Sequence, residues 1–299
     1  MSRMVLIGCG LIGSSFALAA RNAGLVAHVT GIDSSQQVLD QALDLGITDV
    51  SICSAGNTAD YERALDEVLS NAGVVLVAVP VSSIAAIVID LFQRSLPAHC
   101  LVFDVGSVKH KIVGQVRSAL GFFPSAYVPL HPIAGSEQHG PRAASAQIFR
   151  QRKVVLSPQR ETADWAVKRA RELWEACGAQ VSELDSARHD QILAAISHMP
   201  HLLSFGLMAW LDREHSDDVL DYAAGGLRDF SRIAESDAEM WASIFKDNAQ
   251  NVLPQIDELV ATLLDIRVLI EQKDNSGLRE RLDAARHARL RLIDKIGKN

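Results

Sequence analysis

The sequence predicts an α/β protein whose first half is a doubly wound, mostly parallel sheet and whose second half is all helix. Three observations carry this. Short apolar runs alternate with helical patterns up to about residue 184, as in a parallel sheet covered on both faces. Gly8-Cys9-Gly10-Leu11-Ile12-Gly13 stands between an apolar run, Arg3 to Ile7, and a proline-free helical stretch, Leu11 to Ala23. From about Asp185 strand patterns vanish, and helical periodicity runs almost to Lys298. The boundary is expected at 184–187, giving domains over residues 1–185 and 186–299.

The glycine run is a dinucleotide fingerprint only at a strand-to-helix turn, and it falls at one. Gly8 allows the tight turn, Gly10 admits a pyrophosphate to the backbone, and Gly13 lets the helix pack closely on its strand. Leu11 and Ile12 open that helix, whose N terminus faces the anion. Val29 to Ile32 reads as a second strand ending in Asp33. A carboxylate there accepts hydrogen bonds from a ribose and repels a 2′-phosphate, so the expected cofactor is NAD rather than NADP. The first domain is thus expected to be of the Rossmann type. Further elements follow in order: a helix over 35–45, a strand over 48–52, a helix over 61–71, and a buried strand over 73–79. Val79 and Pro80 end that strand and are expected to wall the cofactor. Strands are expected over 101–105, 128–130, 154–156 and 180–182, with a helix over 161–177. In the helical half, breaks are expected at Gly225-Gly226, Pro254 and Ser276-Gly277.

Composition narrows the class further. A chain of 299 residues with 48% hydrophobic content is long enough for two globular domains. A net charge of −7 gives no support for nucleic-acid or anionic-membrane binding. The four cysteines, Cys9, Cys53, Cys100 and Cys177, form no CxxC or metal-ligand spacing, which suits reduced thiols in a cytoplasmic protein. The apolar N terminus breaks at Gly8 and Gly10, too early for a signal sequence. No unbroken run of eighteen apolar residues occurs, so no membrane span is expected.

Ligands of such sheets bind at the carboxyl ends of the strands. Gly106-Ser107-Val108-Lys109 and His131-Pro132-Ile133-Ala134-Gly135-Ser136-Glu137 both fall there. Histidine titrates near neutrality and suits a base that takes a hydroxyl proton as hydride leaves the same carbon. His131 stands where such a base belongs, and by position it serves equally well as a turn residue before Pro132. Ser107 could orient it or a substrate hydroxyl, or simply cap a helix. His198 and His201 are three apart and share a helix face, with Pro200 expected to kink the helix between them. With no third ligand nearby they give no metal site, and a partly solvated face explains them too. Arg228 and Arg232, after Gly225-Gly226, are spaced to clamp carboxylates or to lie on a solvated face beside Asp229. Trp241 reads as core.

Taken together, the stretches 8–15, 106–109, 131–137, 197–201 and 225–234 resemble the prephenate/arogenate (cyclohexadienyl) dehydrogenase family of tyrosine biosynthesis, in both halves and in the right order. The resemblance implies NAD-dependent oxidative decarboxylation of prephenate to 4-hydroxyphenylpyruvate, or of arogenate to tyrosine. It implies that His131 is the base at the ring C4 hydroxyl, with Ser107 in support. Arg232 would pair with the ring carboxylate, and His201 and His198 would line and position the pocket. Ser136 keeps a hydroxyl where threonine also occurs in the family, and Glu137 would stand at the pocket mouth. Arg228 would reach the side-chain carboxylate in a neighbouring subunit of a homodimer. The resemblance also suggests a monofunctional chain, without a chorismate mutase segment or a regulatory domain.

Two rivals remain on sequence. A β-hydroxyacid dehydrogenase would need a lysine early in the helical half, and residues 185–245 contain none. A non-catalytic NAD-binding sensor would explain the fingerprint but give Ser107, His131 and Arg232 no purpose.

Overall fold

The structure, a computed structural model, describes residues 2–297 except 57, 136, 137 and 216. The first half runs β1 (Ser2–Ile7), α1 (Leu11–Asn22), β2 (Val26–Asp33), α2 (Gln36–Asp44), β3 (Val50–Cys53), α3 (Ala59–Ser70), β4 (Val74–Val77), α4 (Val81–Gln93), β5 (Leu101–Asp104), α5 (His110–Leu120), β6 (Tyr127–Pro132), β7 (Lys153–Leu156), α6 (Asp164–Ala176) and β8 (Gln180–Glu183). The strands form one eight-stranded sheet in the order β3-β2-β1-β4-β5-β6-β7-β8. Neighbours are parallel except β6 and β7, which run antiparallel. The reversal of strand order between β1 and β4 opens the crevice of a Rossmann-type sheet.

Alternation along each strand feeds two cores. Met4 and Leu6 of β1 point to one face and pack with Phe16 of α1, Phe103 of β5 and Trp174 of α6. Val5 and Ile7 point to the other, with Ile84 and Val88 of α4 and Ile112 and Val116 of α5. The Phe16 and Trp174 rings lie 4.5 Å apart between centroids, with Phe103 edge-on to Phe16 at 5.3 Å. Gly13, Ala17 and Ala20 are buried on α1, small enough to let that helix sit against the strands.

The second half is helical: α7 (Ser186–Leu193), a π-helical turn (Ala194–His198), α8 (Met199–Glu214), α9 (Gly225–Ser231), α10 (Ala238–Asp247), α11 (Ala249–Glu271) and α12 (Asn275–Ile296). Two of the expected breaks fall elsewhere. Pro254 lies inside α11, where its missing N–H removes a single bond near the start of the helix. Ser276 and Gly277 open α12, whose cap is Asp274, accepting the Gly277 N–H at 3.0 Å. Ser186–Glu214 runs as one helix of 29 residues, long and apolar enough by length and composition to cross a membrane. The expectation that eighteen apolar residues do not occur in a row holds here too, since scattered Ser, His and Gly interrupt this helix without lowering its average much. A single helix of this kind is also common in globular cores. Leu193, Ala194, Met199 and Ser204 of this one are buried.

Residues up to Ala249 form one compact unit and those from Gln250 a second. Within the second, Arg281 approaches Asp265 at 3.8 Å, and Val260, Leu263, Leu264 and Leu290 are exposed.

A buried ionic cluster anchors the loop after β5. The Asp104 carboxylate accepts the Lys109 ammonium, the Tyr127 hydroxyl at 2.7 Å and the Gly106 N–H at 2.8 Å. Lys109 also donates to the Leu130 carbonyl at 2.8 Å, tying the loop to β6 just before His131. Asp104 and Lys109 are both wholly buried. Burial pulls Lys109 below the usual lysine range against the opposing pull of Asp104, and pushes the Tyr127 hydroxyl well above its usual range, with Asp104 adding to it. Removing one partner of such a pair strands a buried charge. Lys109→Met is therefore expected to cost about 3–5 kcal/mol of unfolding free energy, read from urea denaturation. A loss below about 1 kcal/mol would place the pair among solvent-screened ones.

Candidate active site

The glycine fingerprint builds a cradle. Gly8 adopts φ +95°, and a Cβ there would stand 2.3 Å from the Ala78 carbonyl oxygen. A Cβ on Gly13 would stand 2.4 Å from the Gly8 oxygen and 2.7 Å from Leu6. At Gly10, by contrast, nothing lies within 4 Å. So two glycines are demanded by packing and the middle one by the space in front of the backbone. No side chain caps α1, and its first turn holds no acid, so its N terminus, with Leu11 and Ile12 half-buried, is suited to receive an anion.

Asp33 closes the cradle at the end of β2. Its carboxylate accepts the Cys9 N–H and the Ser35 N–H, each at 2.9 Å, one on each oxygen. Each oxygen keeps a lone pair for a hydroxyl donor. Val79 adjoins the fingerprint, 3.1 Å from the position of a Gly8 Cβ, and Pro80 caps α4 at the same sheet edge. Burial, then the Asp33 charge, pushes the Cys9 thiol up to about 12, which keeps this cysteine neutral and unreactive.

The second constellation gathers around His131, at the carboxyl end of β6. Its Nδ1 lies 3.0 Å from His189 Nε2. His189 Nδ1 lies 2.7 Å from Asp190 Oδ1. Asp190 accepts the backbone N–H groups of Lys109 and His110 at 2.8 and 2.9 Å. Asn248 donates to the Asp190 carbonyl at 2.8 Å and to His198 Nδ1 at 3.1 Å. Burial, with His189, Lys109 and His198 adding to it, holds His131 well below the usual imidazole range. Burial also pushes His198 down to about 4, against the pull of Asp190. Both rings are therefore neutral near pH 7.

His201 donates from Nδ1 to the Ser197 carbonyl at 2.9 Å and stacks on Trp241, centroids 3.7 Å apart and planes 20° from parallel. His198 meets the same indole edge-on at 5.9 Å. The π-helical turn ends at His198 and Pro200 falls in the first turn of α8, so the pair shares one partner through a local change of helix pitch. Burial lowers His201, and the nearby Arg232 charge adds to that after the opposing Ser197 bond. Trp241 is both core, 6% exposed, and wall of this cluster.

Other expected site residues sit apart. The Ser107 side chain, half-buried in the loop after β5, makes no hydrogen bond to His131, whose bond goes to His189. Arg228 is 82% exposed and lies 3.6 Å from Asp229. Ser136 and Glu137 lie outside the described residues. His189, Asp190 and Asn248 are absent from the sequence expectation. His189-Asp190 in the first helix after the strands was a usable signal, a charged polar pair amid apolar spacing. Asn248 carried none.

A family model for the nucleotide-binding domain of prephenate dehydrogenase matches residues 16–183, and one for its dimerization domain matches residues 185–284. The chain belongs to the prephenate dehydrogenase family. The first match begins beyond the glycines, so the fingerprint stands on its own geometry. Relatives in the family include the cyclohexadienyl dehydrogenase of Zymomonas mobilis, 32% identical over 97% of this chain and 95% of that protein. The prephenate dehydrogenase of Bacillus subtilis is 32% identical over 92% of this chain and 72% of its own length. The crystal structure of prephenate dehydrogenase from Aquifex aeolicus with hydroxyphenyl propionate and NAD+ superposes with a TM-score of 0.88 at 29% identity, covering 98% of each chain.

The cradle of this family member separates packing from binding. Gly10→Ala is expected to leave thermal stability nearly unchanged while weakening nucleotide binding roughly tenfold or more, about 1.4 kcal/mol. Gly13→Ala is expected to lower both. Differential scanning fluorimetry with and without nucleotide reads the two effects.

Proposed function

We propose that the protein oxidises and decarboxylates a cyclohexadienyl acid, prephenate or arogenate, with NAD+ as cofactor, and that it acts as a homodimer. The observation that carries this reading is a neutral histidine at the carboxyl end of β6, tied back through Nδ1, in a chain whose family runs through both halves. The nucleotide part is assigned to residues 1–185 and the substrate and dimerisation part to 186–299, in keeping with the family matches.

The cradle residues suit NAD. Gly8, Gly10, Leu11, Ile12 and Gly13 would receive the pyrophosphate, Asp33 the ribose hydroxyls, and Val79 and Pro80 would flank the site. NAD+ held there would supply the acceptor for the hydride that leaves ring C4. His131 Nε2 takes the C4 hydroxyl proton as that hydride leaves, and Ser107 orients the hydroxyl. The ring carboxylate, held by Arg232, then departs as CO2. Aromatisation leaves a phenolate, and His131 returns the proton to its oxygen, so the residue ends each turnover neutral. His201 and His198 shape the pocket around the ring, with Ser136 and Glu137 at its mouth. Arg228 serves the side-chain carboxylate across the dimer. Most of the barrier reduction then comes from orientation and proton transfer.

The deciding experiment is NADH formation from NAD+ with prephenate and arogenate in separate assays. Turnover of either supports the reaction class, and the ratio of kcat/KM values names the substrate. NAD+ binding without turnover would favour a sensor. His131→Asn should lower kcat by about 10²–10⁴-fold with little change in KM. Because the base must be unprotonated and its pKa is depressed, kcat/KM should stay level as pH falls through the ordinary imidazole range and drop only below it. Arg232→Ala should mainly raise KM for the acid; a normal KM in steady-state kinetics would count against the clamp.

A further inference from the structure

We propose that His189 and Asp190 are positioning residues that set which nitrogen of His131 carries its hydrogen, leaving the lone pair on Nε2 for the substrate hydroxyl. This rests on the reading of His131 as the base. With both rings neutral, hydrogen-bond chemistry leaves one assignment. A carboxylate only accepts, so the hydrogen between Asp190 Oδ1 and His189 Nδ1, 2.7 Å apart, belongs to His189. In the neutral ring Nε2 of His189 is then an acceptor. It lies 3.0 Å from His131 Nδ1, so His131 must donate there. Neutral His131 therefore has its hydrogen on Nδ1 and its lone pair on Nε2, which no described residue's hydrogen bond reaches.

The arrangement is rigid. His189 is wholly buried and Asp190 is 1% exposed, so water cannot stand in for either. Two backbone N–H groups, of Lys109 and His110, hold both Asp190 oxygens, and Asn248 holds its carbonyl. The carboxylate cannot swing away from His189. When His131 Nε2 receives a proton, its Nδ1–H bond to His189 persists unchanged, so proton uptake needs no rearrangement. Without the chain, neutral His131 could place its hydrogen on Nε2 and present a donor where a base is needed.

The test uses the full-length enzyme with NAD+ bound, as His189→Leu, His189→Gln and His131→Asn variants. The Leu variant removes the acceptor; Gln can place its Oε1 where Nε2 stood. In the Leu variant kcat is expected to fall about 10²-fold or more, with both KM values within about threefold. Gln should recover at least about tenfold over Leu. Nitrogen-15 NMR of histidine-labelled wild-type enzyme should show His131 protonated at Nδ1, and the His189→Leu variant should lose that single form. Wild-type His131 protonated at Nε2 overturns the proposal, even if the Leu variant fails to fold. So does a His189→Leu kcat near wild type while His131→Asn is inactive. Equal losses in Leu and Gln that follow thermal stability would assign His189 a structural role instead. If His131→Asn keeps its kcat, it is the base assignment that fails.

Discussion

The Asp190 carboxylate is the joint on which the site depends. It is carried on the first helix after the sheet, and it accepts the main chain of the loop after β5 through Lys109 and His110. The same group reaches β6 through His189 and His131. One buried anion thus sets three elements, a helix, a loop and a strand end, in register. The loop carries Ser107, and the strand end carries His131. Their mutual placement is settled by a group that neither of them touches directly.

A buried anion is costly unless each oxygen is satisfied. Asp190 meets that condition with backbone N–H donors and an imidazole, and Asp104 meets it with Lys109, Tyr127 and Gly106. The two carboxylates flank the same loop, one from the sheet and one from the helical side, and Lys109 serves both, by side chain and by main chain. Such a network leaves little slack. The loop has no room to drift between the sheet and α7, which is what a site needs whose work is orientation.

Much of the fold was legible because its signals are local. The apolar runs of β1 and β4, the glycine turn and the terminal Asp33 each follow from neighbouring residues, and the structure brings the glycine turn, Asp33 and the end of β4 together at one sheet edge. No helix was assigned to 81–93 from sequence, because its apolar residues are too many to form a clean stripe; α4 packs under the sheet and needs none. The expected break at Pro254 failed because a helix of 23 residues tolerates the loss of one backbone N–H, and Ser276-Gly277 fall just after a break, in the first turn of α12 that Asp274 caps. In the site, His131 and the histidine pair were visible as motifs. His189 was missed although the polar His189-Asp190 pair marks its helix, because the partner that gives it importance lies 58 residues away in sequence and nothing local names that partner. Trp241 looked like core and is core, yet the face it turns to His201 belongs to the site.

Charge frames what remains of specificity. The chain carries a net charge of −7, a field that opposes an anionic substrate. His131 and His198 are held neutral by burial, so they add no attraction, and on the proposed reading that task falls to Arg232 and Arg228. Prephenate and arogenate share the ring carboxylate and differ in the side chain, a keto acid in one and an amino acid in the other. A group facing the ring carboxylate, the role proposed for Arg232, cannot tell them apart. Discrimination must come from whatever meets the side chain. In the single chain Arg228 is mostly in solvent beside Asp229, outside the buried network altogether. On the proposed reading, the chemistry is therefore set inside one subunit by the Asp190 joint, while the choice of substrate is made at the boundary with the next.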